Sequence, residues 1–142
     1  MPPTSLEALF RKAPQKVAQG LLGRTLVRTF PNEVKIEGRI LEVSAWRGTN
    51  GDHHKHKFPQ YGIGMMSISS RYGEYLADIT VGSGNSCVTL VAAEFKFEGK
   101  MYKAQGPGNL CDALKIDPDF DGYDLTSQRE LKIKGSPVDP QL

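Results

Sequence analysis

The chain has 142 residues, which suits one domain of ordinary size. Hydrophobic residues make up 39% of it, enough for a core without disulfide or metal staples, and 24% charged residues argues against a disordered chain. No apolar run approaches the roughly 18–20 residues of a membrane span. Residues 1–5 lack the basic flank and apolar stretch of a secretory signal, so we expect an intracellular protein.

The formal net charge of +2 is too small to identify a nucleic-acid-binding protein, but its distribution is uneven. Residues 1–60 carry 10 lysines and arginines against 5 acids, whereas residues 106–142 carry 4 against 7. This asymmetry predicts one positive face, with an ordinary scatter of solvated charge as the alternative.

The first half of the chain reads as two helices and a hairpin. Helical spacing of apolar residues predicts helices over residues 4–10 and 14–22. Strand-like composition then predicts a hairpin of residues 24–30 and 34–45, joined by a turn at Pro31-Asn32-Glu33.

The second half is mainly β-structure. Its predicted elements are a loop over 47–64, strands over 65–69, 75–81 and 86–97, a hairpin turn at Glu98-Gly99-Lys100, a helix opened by Gly106-Pro107-Gly108, an acidic loop over 117–124, and a last strand with Leu131 and Ile133. The sequence therefore predicts an α+β fold: a single compact domain with a curled antiparallel β-sheet and packed helices. We expect it to span residues 1–142, with residues 1–12 and 136–142 peripheral.

Four segments resemble, in order, segments of a known family. They are AQGLLGRTLVR (18–28), GRILEVSAW (38–46), CVTLVAAE (87–94) and GPGNLCDAL (106–114), the last followed by DGYDL (121–125). Together they resemble the methylpurine (alkyladenine, or 3-methyladenine) DNA glycosylase family, and the fourth segment is the most specific. The resemblance covers nearly the whole chain and implies that family's fold.

The resemblance also implies a function. Such enzymes flip a damaged purine nucleotide out of the duplex, because the reacting atoms are inaccessible inside the stack, and hydrolyse its N-glycosidic bond. The expected partner is double-stranded DNA with a damaged purine, bound by a monomer at the nucleus or nucleoid, with no cofactor, no metal and no membrane. The expected activity is base excision repair of alkylated purines, cationic lesions favoured.

Two catalytic positions of the family are altered in this chain. The general-base glutamate of the "E-x-E-A-Y" motif falls on Ser44, and a neutral hydroxyl cannot take a proton from water near pH 7 without a base of its own. The strand arginine that helps to hold the nucleophilic water falls on Val91. These changes leave a catalytically impaired DNA-damage-binding relative as the alternative function. An unrelated use of the pocket, for a nucleobase or a protein partner, is a third possibility.

Other residues are candidates to replace the missing base. The family's pocket asparagine falls on Asp78, which is either a displaced base or a solvent-facing charge on the sheet. Glu42 lies on the same side of its strand as Ser44 by alternation. Cys87 and Cys111 lie in apolar surroundings without a base partner, which predicts reduced core thiols.

The base-binding positions are partly kept. The stacking tyrosine of the family falls on Trp46, which retains a large π face and belongs either to the pocket or to ordinary packing. The pocket histidine matches His56, and the second stacking tyrosine falls near Ser69, which has no ring.

The resemblance places the DNA contacts in three segments. The intercalating tyrosine matches Tyr72 before Gly73, and the basic residue after Gly-Pro-Gly is Asn109 here. Lys55 belongs to a His-rich segment, residues 52–56, that is expected either to contact phosphates or to be a solvated loop. Adjacent histidines point apart and no cysteine lies at motif spacing, so this segment does not predict a zinc site.

Overall fold

The computed structural model describes residues 5–47, 61–82, 86–127 and 129–135. In chain order its elements are α1 (Leu6–Phe10), α2 (Pro14–Leu21), β1 (Thr25–Thr29), β2 (Lys35–Arg47), β3 (Met66–Arg71), β4 (Glu74–Val81), β5 (Ser86–Phe97), β6 (Lys100–Gln105), α3 (Pro107–Leu114), a 3-10 turn (Pro118–Phe120) and β7 (Leu131–Lys134). These elements confirm the predicted helices, strands and hairpins, and the predicted α+β fold class. No helix among the described residues is both long and apolar enough to span a lipid bilayer.

The seven strands form one antiparallel sheet in the order β3-β4-β5-β2-β1-β7, with β6 paired to β5. Strand β5 is central: β2 runs along one of its edges, and β4 and then β6 run along the other. Two register shifts, either side of Glu42, interrupt the β2–β5 pairing. Bulges of this kind bend a strand and increase its twist, so they curl the sheet at its longest pair of strands.

The core lies against one face of this sheet. Alternate residues of β4, namely Ala77, Ile79 and Val81, are fully buried, and they meet Val88 and Leu90 of β5. Residues two apart share one face of a strand, so this set lies on the core, and Thr80 on the opposite face is also fully buried.

The N-terminal helices complete that core. Phe10 is fully buried and Leu9 is nearly so, and the Phe10 carbonyl accepts a hydrogen bond from the backbone of Gly82. The expectation that residues 1–12 are peripheral is therefore wrong for these two residues. A segment as short as α1 is stable as a helix only because its apolar side is buried. The spacing of apolar residues predicts the helix, but it does not show that the helix packs into the core.

The DGYDL segment holds the edge of the sheet at β3. One Asp121 carboxylate oxygen accepts the Ile68 backbone N–H at 2.8 Å, and the other accepts the Tyr61 hydroxyl at 2.7 Å. The backbones of Met66 and residues 122–123 exchange two further hydrogen bonds. This segment therefore covers an edge strand that would otherwise expose unpaired N–H and C=O groups.

Tyr123 ties the last strand to the rest of the protein. Its hydroxyl accepts the Leu131 backbone N–H at 2.9 Å and lies 3.1 Å from a Glu130 carboxylate oxygen, to which it donates. Burial raises the pKa of this phenol to about 12. The side chain is 8% exposed and its ring packs on Phe120, so the hydroxyl is a buried polar group with its partners in place.

We therefore expect Tyr123→Phe to destabilise the fold by about 1–3 kcal/mol, because the buried N–H of Leu131 loses its side-chain acceptor. Urea unfolding of the variant measures this loss. Tyr102→Phe is the matched control, since Tyr102 is 50% exposed. Equal stability of the two variants would show that the Tyr123 hydroxyl contributes nothing.

Candidate functional site

Two rows of side chains lie on the same face of the sheet across β2, β5 and β4. Residues paired directly across antiparallel strands point to the same side, with Cβ atoms roughly 4.5–5.5 Å apart. The first row is Ser44, Thr89 and Asp78, and the second is Trp46, Cys87 and Thr80. The pairing thus brings three polar residues from three different strands next to an indole ring.

A hydrogen-bonded network links the two rows. The Trp46 indole N–H donates to the Thr89 hydroxyl at 2.9 Å, and that hydroxyl donates to the Asp78 carboxylate at 2.5 Å. Thr89 is 7% exposed, whereas Trp46 remains 37% exposed. The structure therefore joins Trp46 and Asp78, and it does so through Thr89, which the sequence had not singled out. The one available signal was a polar residue inside the apolar run CVTLV.

The remaining catalytic candidates differ in their surroundings. Ser44 is half-buried and pairs with Thr89, so a side chain at that position faces the network. Glu42 is exposed, and its carboxylate accepts the Gln105 side-chain amide at 3.2 Å across Ala92. The register shifts on both sides of Glu42 interrupt the regular alternation that placed it beside Ser44. Val91 is half-buried. It lies at the register shift, where Leu90 pairs with Val43 and Ala92 pairs with Glu42, so no residue of β2 is its direct cross-strand partner.

Both cysteines are buried free thiols, as predicted. Burial raises the pKa of Cys87 to about 12, with a further contribution from the Asp78 charge. The pKa of Cys111 is also raised to about 12, first by burial and then by the charges of Asp112 and Asp78, despite an opposing backbone hydrogen bond from Ala77. Neither thiol is ionised near neutral pH, so neither supplies a nucleophile.

Thr80 differs from Thr89 although both are threonines on this face. Its side chain is fully buried, and its hydroxyl has no hydrogen-bond partner among the residues that the structure describes. Thr80 therefore takes no part in the network.

The β3–β4 hairpin presents an exposed aromatic residue. Its two-residue turn consists of Tyr72 and Gly73, with φ angles of 52° and 79°. Positive φ at both central residues defines the type I′ turn, whose twist matches the flanking strands. Tyr72 is 95% exposed at the tip. A Cβ atom placed on Gly73 would have no heavy atom within 4 Å apart from those of its chain neighbours, so the tip is open. Since β4 begins at this turn, Tyr72 and Asp78 lie on one continuous hairpin.

Four further sequence candidates lie away from the network or outside the described residues. Asn109 is exposed in the first turn of α3, where its side-chain amide donates to the Gln105 carbonyl at 2.8 Å. Ser69 is half-buried in β3, opposite Leu76. Lys55 and His56 lie outside the described residues, so their expected contacts stay predictions. No group of potential metal ligands occurs within the described part of the chain.

Comparison with known proteins gives consistent names. The chain is 32% identical over 138 residues to the "Putative 3-methyladenine DNA glycosylase" of Herpetosiphon aurantiacus, covering 80% of this chain and 62% of that protein. It is 28% identical over 155 residues to human "DNA-3-methyladenine glycosylase", covering 87% of this chain and 52% of that protein. A Synechococcus protein with the same name as the first is 31% identical over 158 residues, and the match covers 93% of this chain and 80% of that protein.

The chain thus spans 62% and 52% of the length of the first two relatives. No protein-family model matches the sequence.

Burial of the two thiols gives a prediction about alkaline stability. The ordinary thiol pKa is 9.0 and the folded value is about 12, so above the lower value the unfolded chain loses these protons first. The two thiols contribute fully to stability below the pKa of the unfolded chain. As the pH rises from that value towards the pKa of the folded protein, the free energy of unfolding falls by up to about 1.4 kcal/mol per pH unit for each thiol. Cys87→Ala removes one of the two contributions, so its stability in urea should decline less steeply with pH than that of the unaltered protein. Parallel declines would contradict this.

Proposed function

The chain belongs to the 3-methyladenine DNA glycosylase family, and on that premise we propose that it flips an alkylated purine out of duplex DNA and hydrolyses its N-glycosidic bond. The observation that carries the proposal is the Trp46–Thr89–Asp78 network on β2, β5 and β4, together with Tyr72 at the exposed tip of the hairpin that leads into β4.

Trp46 is proposed as the surface on which the flipped base stacks. An indole ring with part of its surface exposed offers a π face, and base stacking on an aromatic residue contributes roughly 1–3 kcal/mol. A ring quadrupole and the neighbouring Asp78 carboxylate both attract positive charge. Cationic alkylated purines are therefore the favoured ligands. In this proposal the resemblance supplies His56 and Ser69 as further contacts to the base.

Asp78 is proposed as the residue that accepts the proton of the attacking water. The water oxygen bonds to C1′ of the sugar, the bond from C1′ to the purine nitrogen breaks, and its electron pair leaves with the base. A cationic N3- or N7-alkylated purine leaves as a neutral base, so its departure needs little assistance. Ser44 and Val91 replace the family's glutamate and arginine, and this loss confines the activity to such easily broken bonds.

Duplex DNA is the proposed partner. Tyr72 would fill the space that the flipped nucleotide vacates, since a wedge must project from the surface. Gly73 allows the close turn beneath it, and Asn109 and Lys55 are proposed as phosphate contacts. The protein would act as a monomer at the nucleus or nucleoid.

A damage-binding relative without chemistry is the second candidate function. The observation that favours it is the simultaneous loss of the family's glutamate and arginine, at Ser44 and Val91. A labelled duplex with one lesion separates the two functions. Strand breaks after alkali indicate a glycosylase, and binding without breaks indicates the damage-binding relative.

The wedge assignment predicts a selective loss of duplex binding. Tyr72→Ala should weaken binding to a lesion duplex by about tenfold or more and leave binding to single strands nearly unchanged, because unstacking must be offset only in a duplex. Fluorescence polarisation with the two substrates measures the difference. Tyr102→Ala, which removes another exposed tyrosine, is the control. Equal losses on both substrates would overturn the assignment.

The altered catalytic positions predict which lesions are excised. We expect release of cationic alkylpurines and negligible release of hypoxanthine, a neutral base. Ser44→Glu should raise the rate by up to about 10²–10⁴-fold, the usual contribution of a positioned general base, provided that the pocket seats the carboxylate. Single-turnover excision of each lesion, scored as alkali-sensitive breaks, measures these rates.

Asp78→Asn should eliminate the residual excision while the protein still binds the lesion duplex, with Asp112→Asn on the exposed face of α3 as the control. Efficient hypoxanthine excision that neither Asp78→Asn nor Glu42→Gln affects would contradict this chemistry.

A further inference from the structure

We propose that the exposed polar face of the sheet beyond the candidate site binds the phosphate backbone of the duplex on one side of the flipped nucleotide, through Arg39, Lys96 and Lys103. The inference rests on the proposed function, because it takes duplex DNA as the partner. The contact surface is separate from the wedge at Tyr72 and from the residues that meet the base. It concerns binding alone and needs no covalent step.

The strand register shows which residues lie on this face. Ile40 of β2 pairs with Ala93 of β5, and both are buried in the core. Their neighbours Arg39 and Glu94 also pair with each other, so they point to the opposite side of the sheet. Lys103 of β6 pairs in turn with Glu94. One row of side chains, the outer row, therefore crosses five strands on the polar side: Lys134, Thr25, Arg39, Glu94 and Lys103.

The polar side is continuous from the candidate site to the outer row. Leu90 belongs to the core, so Thr89 next to it points to the polar side. Ala92 lies directly before a core residue of β5, and its cross-strand partners are Glu42 and Gln105. The Glu42 carboxylate accepts the Gln105 side-chain amide across Ala92, so these side chains also lie on the polar side.

The polar face beyond the site has a larger positive net charge than the whole chain. Its three acids are Glu37, Glu42 and Glu94. Its six cations are Lys35, Arg39, Lys96, Lys103, Lys132 and Lys134. The net charge of this face is therefore +3, whereas that of the whole chain is +2. Duplex DNA carries one negative charge per roughly 1.7 Å of its axis, so its backbone is the partner that complements this face.

Three of these cations are available to phosphates. Arg39, Lys96 and Lys103 are exposed, and they form no ion pair with any residue that the structure describes. Lys134 differs, because its ammonium group lies 2.8 Å from the Glu37 carboxylate. We therefore assign the backbone contacts to the three cations without such a pair.

The outer row lies at a defined distance from the site. Glu94 is five residues along β5 from Thr89, which at about 3.3 Å per residue is roughly 16 Å. Duplex DNA rises about 3.4 Å per base pair, so the outer row meets phosphates about four or five base pairs from the flipped nucleotide. Strand β4 is antiparallel to β5, so the Tyr72 turn lies towards the same end of the sheet as Glu94. Because the outer row lies in one direction from the site, it contacts one arm of the duplex, meaning the base pairs on one side of the lesion.

The salt dependence of binding tests these contacts. Arg39→Gln, Lys96→Gln and Lys103→Gln should each lower the slope of log affinity against log salt concentration by about 0.9, because fewer counterions are released. Between about 50 and 200 mM salt, each lost contact makes the fall in affinity roughly 3.5-fold smaller. Fluorescence polarisation should give the same change for a lesion duplex and for the undamaged duplex, since phosphate contacts carry no base information.

Two variants serve as controls. Lys16→Gln removes an exposed lysine from α2, which packs on the core side of the sheet, and it should leave the slope unchanged. Glu94→Gln removes the half-buried carboxylate between Arg39 and Lys103, and it should tighten binding at low salt because this charge repels phosphate. All variants are compared at equal folded fraction, judged by thermal unfolding.

Duplexes with unequal arms test the position of the surface. The lesion is placed about three base pairs from one end or from the other in duplexes of equal length, so that one arm is too short to reach the outer row. Shortening the contacted arm should make the double variant Arg39→Gln/Lys103→Gln and the unaltered protein nearly equal in affinity. Shortening the other arm should preserve their difference. The same difference with both duplexes would overturn the placement on one arm.

The outcomes for this inference and for the proposed function are distinct. Binding and excision of an alkylated purine with an unchanged salt slope in all three variants overturns the surface alone. Loss of lesion binding with unchanged binding of undamaged duplex would place these cations in the base pocket, and it also overturns the surface. Failure of the unaltered protein to bind any duplex overturns the proposed function, and with it this inference.

Discussion

Strand β5 hydrogen-bonds to β2 along one edge and to β4 and β6 along the other, and the candidate site exists because of that pairing. Trp46 and Asp78 are 32 residues apart in the chain, and each lies beside β5 only because both neighbouring strands are in register with it. One hydroxyl, that of Thr89, then joins them. A shift by one residue in either pairing would turn a member of the network to the opposite face of the sheet.

The same sheet serves the core on its other face. The buried residues Ala77 and Ile79 flank Asp78 in β4, and the buried Val88 precedes Thr89 in β5. Their side chains point to the opposite face from the network. The free energy that fixes the register therefore comes largely from apolar burial. Once the register is fixed, the positions of the side chains on the polar face are fixed with it. This division allows a polar-face residue such as Ser44 to be replaced while the core that fixes the register stays intact.

The sequence predicts local features of this protein well. The predicted strands over 65–69 and 75–81 bracket the observed turn at Tyr72 and Gly73, and the helix at Gly106-Pro107-Gly108 begins at the predicted residues. Features that depend on pairing between distant strands were less accessible. Thr89 was overlooked because periodicity gives the face of a residue but not its cross-strand partners. The alternation used for Glu42 is interrupted by two register shifts that no local signal announces.

The emission of Trp46 during a titration with DNA tests the base-pocket assignment most directly. No other tryptophan contributes to the signal, and a base stacked on the indole quenches it. A base pocket at Trp46 predicts quenching by a duplex with one alkylated purine, saturating with the binding curve, and much weaker quenching by the same duplex undamaged. Full binding of the lesion duplex with unchanged Trp46 emission would contradict the assignment and place the damaged base elsewhere.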